Sequence, residues 1–63
     1  MTYKQITKKI HEEGGWIFLR NGKGSHRIWM HPTIKRTLSI PDHGSKEIGK
    51  GLVNTILKDA GLK

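Results

Sequence analysis

The residues best suited to chemistry stand together in one glycine-rich segment, Gly22-Lys23-Gly24-Ser25-His26-Arg27. Apolar runs at residues 16–19 and 28–30 flank it, and Asn21-Gly22 opens it, a dipeptide favoured where a hairpin needs positive backbone φ angles. Gly24 has no Cβ, so a bulky group can approach the backbone closely. A hydroxyl, an imidazole and a guanidinium follow at the start of the next strand. The segment is either an active site at a hairpin mouth or a solvated polar turn, and its spacing alone does not decide between them.

The 63-residue sequence is strongly basic, with 12 lysines and arginines against 5 acidic residues and a formal net charge of +7. Such a charge attracts polyanions, and nucleic acid is favoured because lysine and arginine neutralise its phosphates. A membrane surface is disfavoured, since the charge is spread along the chain instead of forming a basic helix or tail. No cysteine, signal-peptide pattern or apolar run of ~20 residues is present, which predicts a single cytoplasmic domain over residues 1–63.

The four histidines, at positions 11, 26, 31 and 43, do not form a metal-site pattern. His26 and His31 are an odd number of residues apart on one predicted strand and therefore face opposite sides of the sheet. No spacing matches a zinc motif. A serine–histidine–aspartate triad is also disfavoured, because Ser25 and His26 are adjacent and their side chains diverge. We therefore predict neither a metal nor a cofactor.

A lone imidazole among cations is sufficient for one reaction, the attack of an RNA 2′-hydroxyl on its neighbouring phosphate. The substrate carries the nucleophile, so the protein need only move a proton and neutralise phosphate charge. Histidine suits the first task near neutral pH, and lysine and arginine suit the second. His26 is the candidate base, with Arg20, Lys23 and Arg27 as nearby cations. His43 is its rival, because it approaches the same hairpin mouth if the third strand pairs beside the second.

Helical and strand periodicities predict the order α-β-β-β-α. A capping box formed by Thr2 and Gln5 starts the first helix, and Gly14-Gly15 ends it. A second helix begins near Gly51, and Gly61 ends it with Leu62 folded back in a Schellman cap. Strands are predicted at residues 16–19, 26–31 and 36–40.

Three antiparallel strands with both helices on one face make a two-layer α+β sandwich. The third strand alternates cleanly, which directs Leu38 and Ile40 inward. Part of the set Trp16, Phe18 and Trp29 is then exposed as a partner surface, unless these rings pack around the edge of so short a sheet.

The order and spacing of several segments resemble the HicA family of toxin ribonucleases, small mRNA interferases of bacterial toxin–antitoxin pairs. The resemblance implies a double-stranded-RNA-binding-domain-like α-β-β-β-α fold and a metal-independent RNA endonuclease whose essential histidine matches His26. It also implies an antitoxin, HicB, that covers the active site. The matching segments are Gly14-Gly15-Trp16, Gly24-Ser25-His26-Arg27, His31-Pro32, Ile40-Pro41-Asp42-His43-Gly44, Gly51-Leu52 and Ile56-Leu57-Lys58-Asp59-Ala60-Gly61-Leu62.

We therefore predict His26 as the catalytic residue of an mRNA-cleaving toxin, His43 as structural or substrate-positioning, and Trp29 as facing the protein partner. Lysines near the start of the second helix contact phosphates in the double-stranded-RNA-binding fold. The alternative function is a non-catalytic double-stranded RNA-binding module, which reads A-form shape and does not require His26. A DNA-binding transcription factor is disfavoured, because the sequence has no recognition-helix pattern. The predicted RNA-binding residues are Lys23, Gly24, Ser25, Arg27, Lys46 and Lys50.

Overall fold

Two helices and three strands follow one another in the predicted order α-β-β-β-α. The computed structural model describes residues 1–63. Its elements are α1 (Tyr3–Gly14), β1 (Ile17–Asn21), β2 (His26–His31), β3 (Arg36–Pro41) and α2 (Lys50–Asp59). The strands form one antiparallel sheet in the order β1-β2-β3, which confirms the predicted α+β sandwich. Neither helix has the length and hydrophobicity needed to cross a membrane.

The ends of both helices follow from residues near their termini. Thr2 Oγ1 accepts a hydrogen bond from Gln5 N (3.3 Å), and Gln5 Oε1 accepts one from Thr2 N (2.9 Å), so the predicted capping box is present. Gly15 ends α1 with a φ of 77°. At the end of α2, Leu62 N donates to Leu57 O (2.9 Å), the bond expected of a Schellman cap.

The core lies between the helices and one face of the sheet. Trp16 is fully buried, and its indole Nε1 donates to Ala60 O (3.1 Å), which joins the start of the sheet to the end of α2. Strand β1 begins one residue later than predicted because Trp16 N donates to Ile10 O (3.2 Å) at the end of α1 instead of entering the sheet. The buried apolar residues are Ile6, Ile10, Trp16, Leu38, Ile40, Ile48, Val53, Ile56, Leu57 and Ala60.

The pairing of β2 with β3 separates a covered face of the sheet from an open one. Arg27 lies opposite Ile40 and Trp29 opposite Leu38. Since Leu38 and Ile40 are buried, as predicted, this is the face that the helices cover. The residues of β2 and β3 that alternate with these point to the open face. They are His26, Ile28, Met30, Thr37, Ser39 and Pro41.

The hairpin between β1 and β2 differs from its prediction in one respect. A positive φ was expected at Asn21-Gly22, and this expectation is wrong, because the one positive φ in the loop is the 60° of Gly24. The chain reverses over residues 23–26, where His26 N donates to Lys23 O (3.1 Å). Gly22 N donates to His26 O (2.8 Å) and so still belongs to the strand pairing.

Candidate active site

His26 stands on the open face of the sheet, at the first position of β2. Its side chain is exposed, and its Nδ1 lies 3.1 Å from Ser39 Oγ, a hydrogen-bond distance. Its Nε2 has no hydrogen-bond partner within the chain. The imidazole is therefore held at one nitrogen and accessible to a ligand at the other.

Ser39 is a residue of this site that the sequence analysis did not single out. It lies on β3 between buried Leu38 and Ile40, so strand alternation directs it to the open face. Ser39 is paired with Ile28, which lies two residues after His26 on β2 and faces the same side of the sheet. The alternation of β3 was visible in the sequence, but the register that brings Ser39 to His26 was not.

A β-bulge brings an arginine to the same face as His26. Phe18 is paired with Trp29, but Arg20 is paired with Ile28, so β1 has one extra residue, Leu19, at this point. Simple alternation would place Arg20 on the same face as Phe18. The bulge instead places it opposite Ile28, on the open face, where its guanidinium makes only a 3.5 Å contact with the carbonyl of the next residue.

Arg27 lies on the covered face and has several partners within the chain. Its Nε is 3.6 Å from Asp42 Oδ2. Its Nη1 donates to Gly24 O (3.3 Å) and to His26 O (3.1 Å). Arg27 thus joins the β1–β2 loop to the turn after β3, and its predicted contact with RNA stays a prediction.

The predicted loop residues and His43 meet at one end of the sheet. Lys23 and Gly24 are exposed in the β1–β2 loop, and Ser25 O accepts a hydrogen bond from Asp42 N (2.8 Å). Since His26 is paired with Pro41, His43 lies two residues beyond the partner of His26 and is exposed there. The predicted approach of His43 to the hairpin end is consistent with this pairing, although no hydrogen bond links the two histidines.

The two lysines near α2 and the tryptophan of β2 lie in different surroundings. Lys46 precedes α2, Lys50 is its first residue, and both are exposed. Trp29 is half-buried against the core, where its Nε1 donates to Tyr3 Oη (3.0 Å). Its ring meets Phe18 edge-on, with ring centroids 6.0 Å apart.

Exposed apolar surface is concentrated on β1 beside Trp29, not on Trp29 itself. Three consecutive residues, Ile17, Phe18 and Leu19, are exposed by 40%, 49% and 45%. Since β1 is an edge strand, its outer backbone groups have no strand partner. The apolar surface predicted around Trp29 is therefore formed chiefly by these three residues, and its role in partner binding stays a prediction.

The remaining histidines support the fold. His11 Nδ1 lies 2.8 Å from Trp16 O, and His31 packs edge-on against the Trp16 ring. No three side chains among the histidines, aspartates and glutamates come together in an arrangement that holds a metal ion.

Comparisons with known proteins identify the family. A family model described as the HicA toxin of bacterial toxin–antitoxin systems matches residues 4–62. A protein of Pseudomonas fluorescens (strain Pf0-1) named "Probable mRNA interferase HicA" is 38% identical over 63 residues, which is 100% of this chain and 98% of that protein. A comparison with solved structures gave no significant match. With a family match over residues 4–62 and a relative aligned along the full chain, this protein belongs to the HicA family of toxins from bacterial toxin–antitoxin systems.

Proposed function

We propose that this protein is an endoribonuclease toxin that cleaves mRNA and thereby inhibits translation, with His26 as its catalytic residue. The observation that supports it best is the His26 imidazole, anchored at Nδ1 by Ser39 and accessible at Nε2 on the open face of the sheet. The relative from Pseudomonas fluorescens is named a probable mRNA interferase, which supports an activity on mRNA. An mRNA substrate also implies that the protein acts in the cytoplasm.

The proposed reaction needs one proton acceptor and positive charge. His26 Nε2 removes the proton of an RNA 2′-hydroxyl, and the 2′-oxygen attacks the adjacent phosphorus. The bond between phosphorus and the 5′-oxygen breaks, and that oxygen takes a proton from the solvent. The products are a 2′,3′-cyclic phosphate and a 5′-hydroxyl. This sequence of steps requires no metal ion.

The cations best placed to stabilise the pentavalent intermediate are Arg20 and Lys23. Arg20 lies on the His26 face of the sheet, and Lys23 is exposed in the loop that precedes His26. Both are free of ion pairs, whereas Arg27 contacts Asp42. Positive charge beside a phosphate that gains negative charge lowers the barrier of the reaction.

The remainder of the RNA is bound by a basic surface near α2. Lys46 and Lys50 are exposed near the start of α2, and we assign to them phosphates away from the cleaved bond. This surface would also serve a non-catalytic double-stranded RNA-binding module, the alternative function. Shape recognition alone, however, does not call for an imidazole held by a serine.

We also propose an acidic, HicB-like antitoxin as the partner. The net charge of +7 favours an acidic protein, and the exposed apolar residues of β1 lie on the strand that leads into the hairpin. A partner seated there covers both the apolar surface and His26. Since it binds the folded toxin, it should raise the toxin's melting temperature, and the rise should grow with partner concentration above the dissociation constant. An unchanged melting temperature at saturating partner would contradict this assignment.

The cleavage reaction is tested with one RNA, an analogue that lacks a single 2′-hydroxyl, and an all-deoxy strand of the same sequence. The purified protein should cut the RNA in the presence of a chelator and leave a 2′,3′-cyclic phosphate. Replacing the single 2′-hydroxyl at the cut site by hydrogen should block cleavage there, because the nucleophile is gone. Cleavage of an all-deoxy strand would rule out the proposed reaction.

A further inference from the structure

Among the histidines of this chain, only His26 has a side-chain hydroxyl as its hydrogen-bond partner, Ser39 Oγ at 3.1 Å. The two residues are 13 positions apart and belong to neighbouring strands. We propose that Ser39 is a positioning residue: its Oγ accepts a hydrogen bond from Nδ1–H of His26 and so leaves Nε2 as the basic nitrogen that faces RNA. This inference rests on the ribonuclease function proposed above.

The direction of this hydrogen bond follows from what the reaction requires of the imidazole. A serine hydroxyl can donate or accept. If Ser39 donated to Nδ1, the ring proton of neutral His26 would lie on Nε2, which then has no lone pair for the proton of the 2′-hydroxyl. If Ser39 accepts, the proton lies on Nδ1 and Nε2 is the base.

The accepting arrangement also suits the product of proton transfer. Once Nε2 has taken a proton, both ring nitrogens carry hydrogen and Nδ1 can only donate. Ser39 accepts in both states, so neither the hydroxyl nor the ring has to turn during the reaction. A site that requires no reorientation at the moment of reaction is preorganised for it.

The backbone around Ser39 makes it a firm anchor. Leu38 and Ile40 on either side are buried in the core, with exposed fractions of 8% and 0%. Ser39 itself is paired with Ile28 in the ladder between β2 and β3. Its short side chain has one rotatable bond before the hydroxyl and settles in few rotamers. A catalytic group held by a strand of the scaffold is placed more accurately than one held by a loop.

The chain offers a matched control on the same strand. Thr37 is two residues before Ser39, on the same face, exposed, and also carries a hydroxyl. It is paired with Met30 and makes no hydrogen bond to a histidine. Thr37→Ala therefore removes a comparable hydroxyl without touching His26, whereas Ser39→Thr keeps the hydroxyl at the position that matters.

The test combines a spectroscopic measurement on the free protein with cleavage kinetics. Nitrogen-15 NMR of the His26 ring, with the imidazole neutral, should report hydrogen on Nδ1 in the wild type, in Ser39→Thr and in Thr37→Ala. Ser39→Ala should shift the ring toward hydrogen on Nε2. Its kcat on RNA should fall roughly tenfold to a hundredfold, part of the contribution of a positioned base, with KM little changed. Ser39→Thr should restore kcat and Thr37→Ala should leave it unchanged.

Two results would overturn the role of Ser39 without affecting the ribonuclease function. One is hydrogen on Nε2 of neutral His26 in the wild type, and the other is an unchanged kcat in Ser39→Ala. A wild-type protein that does not cut RNA, or a His26→Ala variant that still cuts it, would instead overturn the proposed function. The ring measurement needs no RNA, so it decides the direction of the hydrogen bond in either case.

Discussion

His26 and His31 occupy the two ends of β2 and have opposite surroundings. His31 is half-buried, and its Nδ1 accepts hydrogen bonds from the backbone N–H groups of Thr33 (3.2 Å) and Ile34 (3.3 Å). Its ring packs edge-on against Trp16, with centroids 5.5 Å apart. His26 is exposed and is linked only to the hydroxyl of Ser39.

The difference arises from the side of the sheet that each histidine faces. The covered face carries the core, so the His31 ring there packs on an aromatic side chain and stabilises the turn that follows it. The open face has no helix over it, so a nitrogen of His26 stays available to a ligand. Residue type alone does not distinguish a structural histidine from a candidate catalytic one, whereas its face and its partners separate the two here.

The largest expected effect is the loss of cleavage in His26→Ala. We expect the rate to fall by roughly 10² to 10⁴, the usual contribution of a positioned acid–base group. The free energy of unfolding should change by no more than about 0.5 kcal/mol, because the side chain is exposed. Single-turnover cleavage and thermal unfolding measure the two quantities.

His43→Ala is the matched control for His26, since His43 is exposed at the same end of the sheet. We expect it to cleave RNA at a rate much closer to that of the wild type. A folded His26→Ala protein that cuts at a near-normal rate would move the catalytic role to His43 or remove the enzymatic function.

In contrast to His26→Ala, His31→Ala should reduce the stability of the protein and retain cleavage. It removes an acceptor of two backbone hydrogen bonds and an aromatic contact, which together contribute roughly 1 to 3 kcal/mol. For a domain of this size, each kcal/mol lowers the melting temperature by about 4 to 8 °C. Cleavage per folded molecule should match the wild type at a temperature well below the transition.

His31→Asn separates the two contributions of His31. Asparagine can accept hydrogen bonds from backbone N–H groups two or three residues ahead, so it should recover part of the stability without the aromatic contact. A stable His31→Ala protein that has lost cleavage would remove the functional contrast between the two histidines.

Two arginines extend the same contrast between faces. Arg27→Ala breaks the contacts with Asp42, Gly24 and His26 and should lower the free energy of unfolding by about 1 kcal/mol. Arg20→Ala on the open face should leave stability unchanged and reduce cleavage by roughly tenfold, since it removes charge stabilisation from the phosphate. Denaturant unfolding and cleavage rates of both variants measure these effects. Equal losses of stability in the two variants would contradict the assignment of Arg20 to the open face.

The smallest effect concerns the turn that His31 stabilises. Lys35 has a φ of 54°, a left-handed conformation that costs a residue with a Cβ about 1 to 2 kcal/mol. Lys35→Gly relieves this strain, but glycine loses more backbone entropy on folding than lysine does. We therefore expect the free energy of unfolding to rise by only ~0.5 to 1 kcal/mol. Lys35→Ala keeps the strain and should show no such gain. Cleavage should be unaffected in both, because this turn lies at the end of β2 away from His26.

Strand alternation was enough to predict several features of this protein. It placed His26 and His31 on opposite faces and directed Leu38 and Ile40 into the core, because successive side chains of a strand point to opposite sides. The helix ends were equally predictable, since the capping box at Thr2 and the glycine at position 15 act through local hydrogen bonds and backbone dihedrals.

The partners of the candidate catalytic residue were decided by tertiary structure. Ser39 meets His26 only through the register of β2 and β3, which depends on how the whole strand packs on the helices. Arg20 reaches the open face only through the bulge at Leu19, because one extra residue reverses the alternation that the sequence predicts. Periodicity assigns a residue to a face, but contacts between strands depend on pairings that no local pattern encodes.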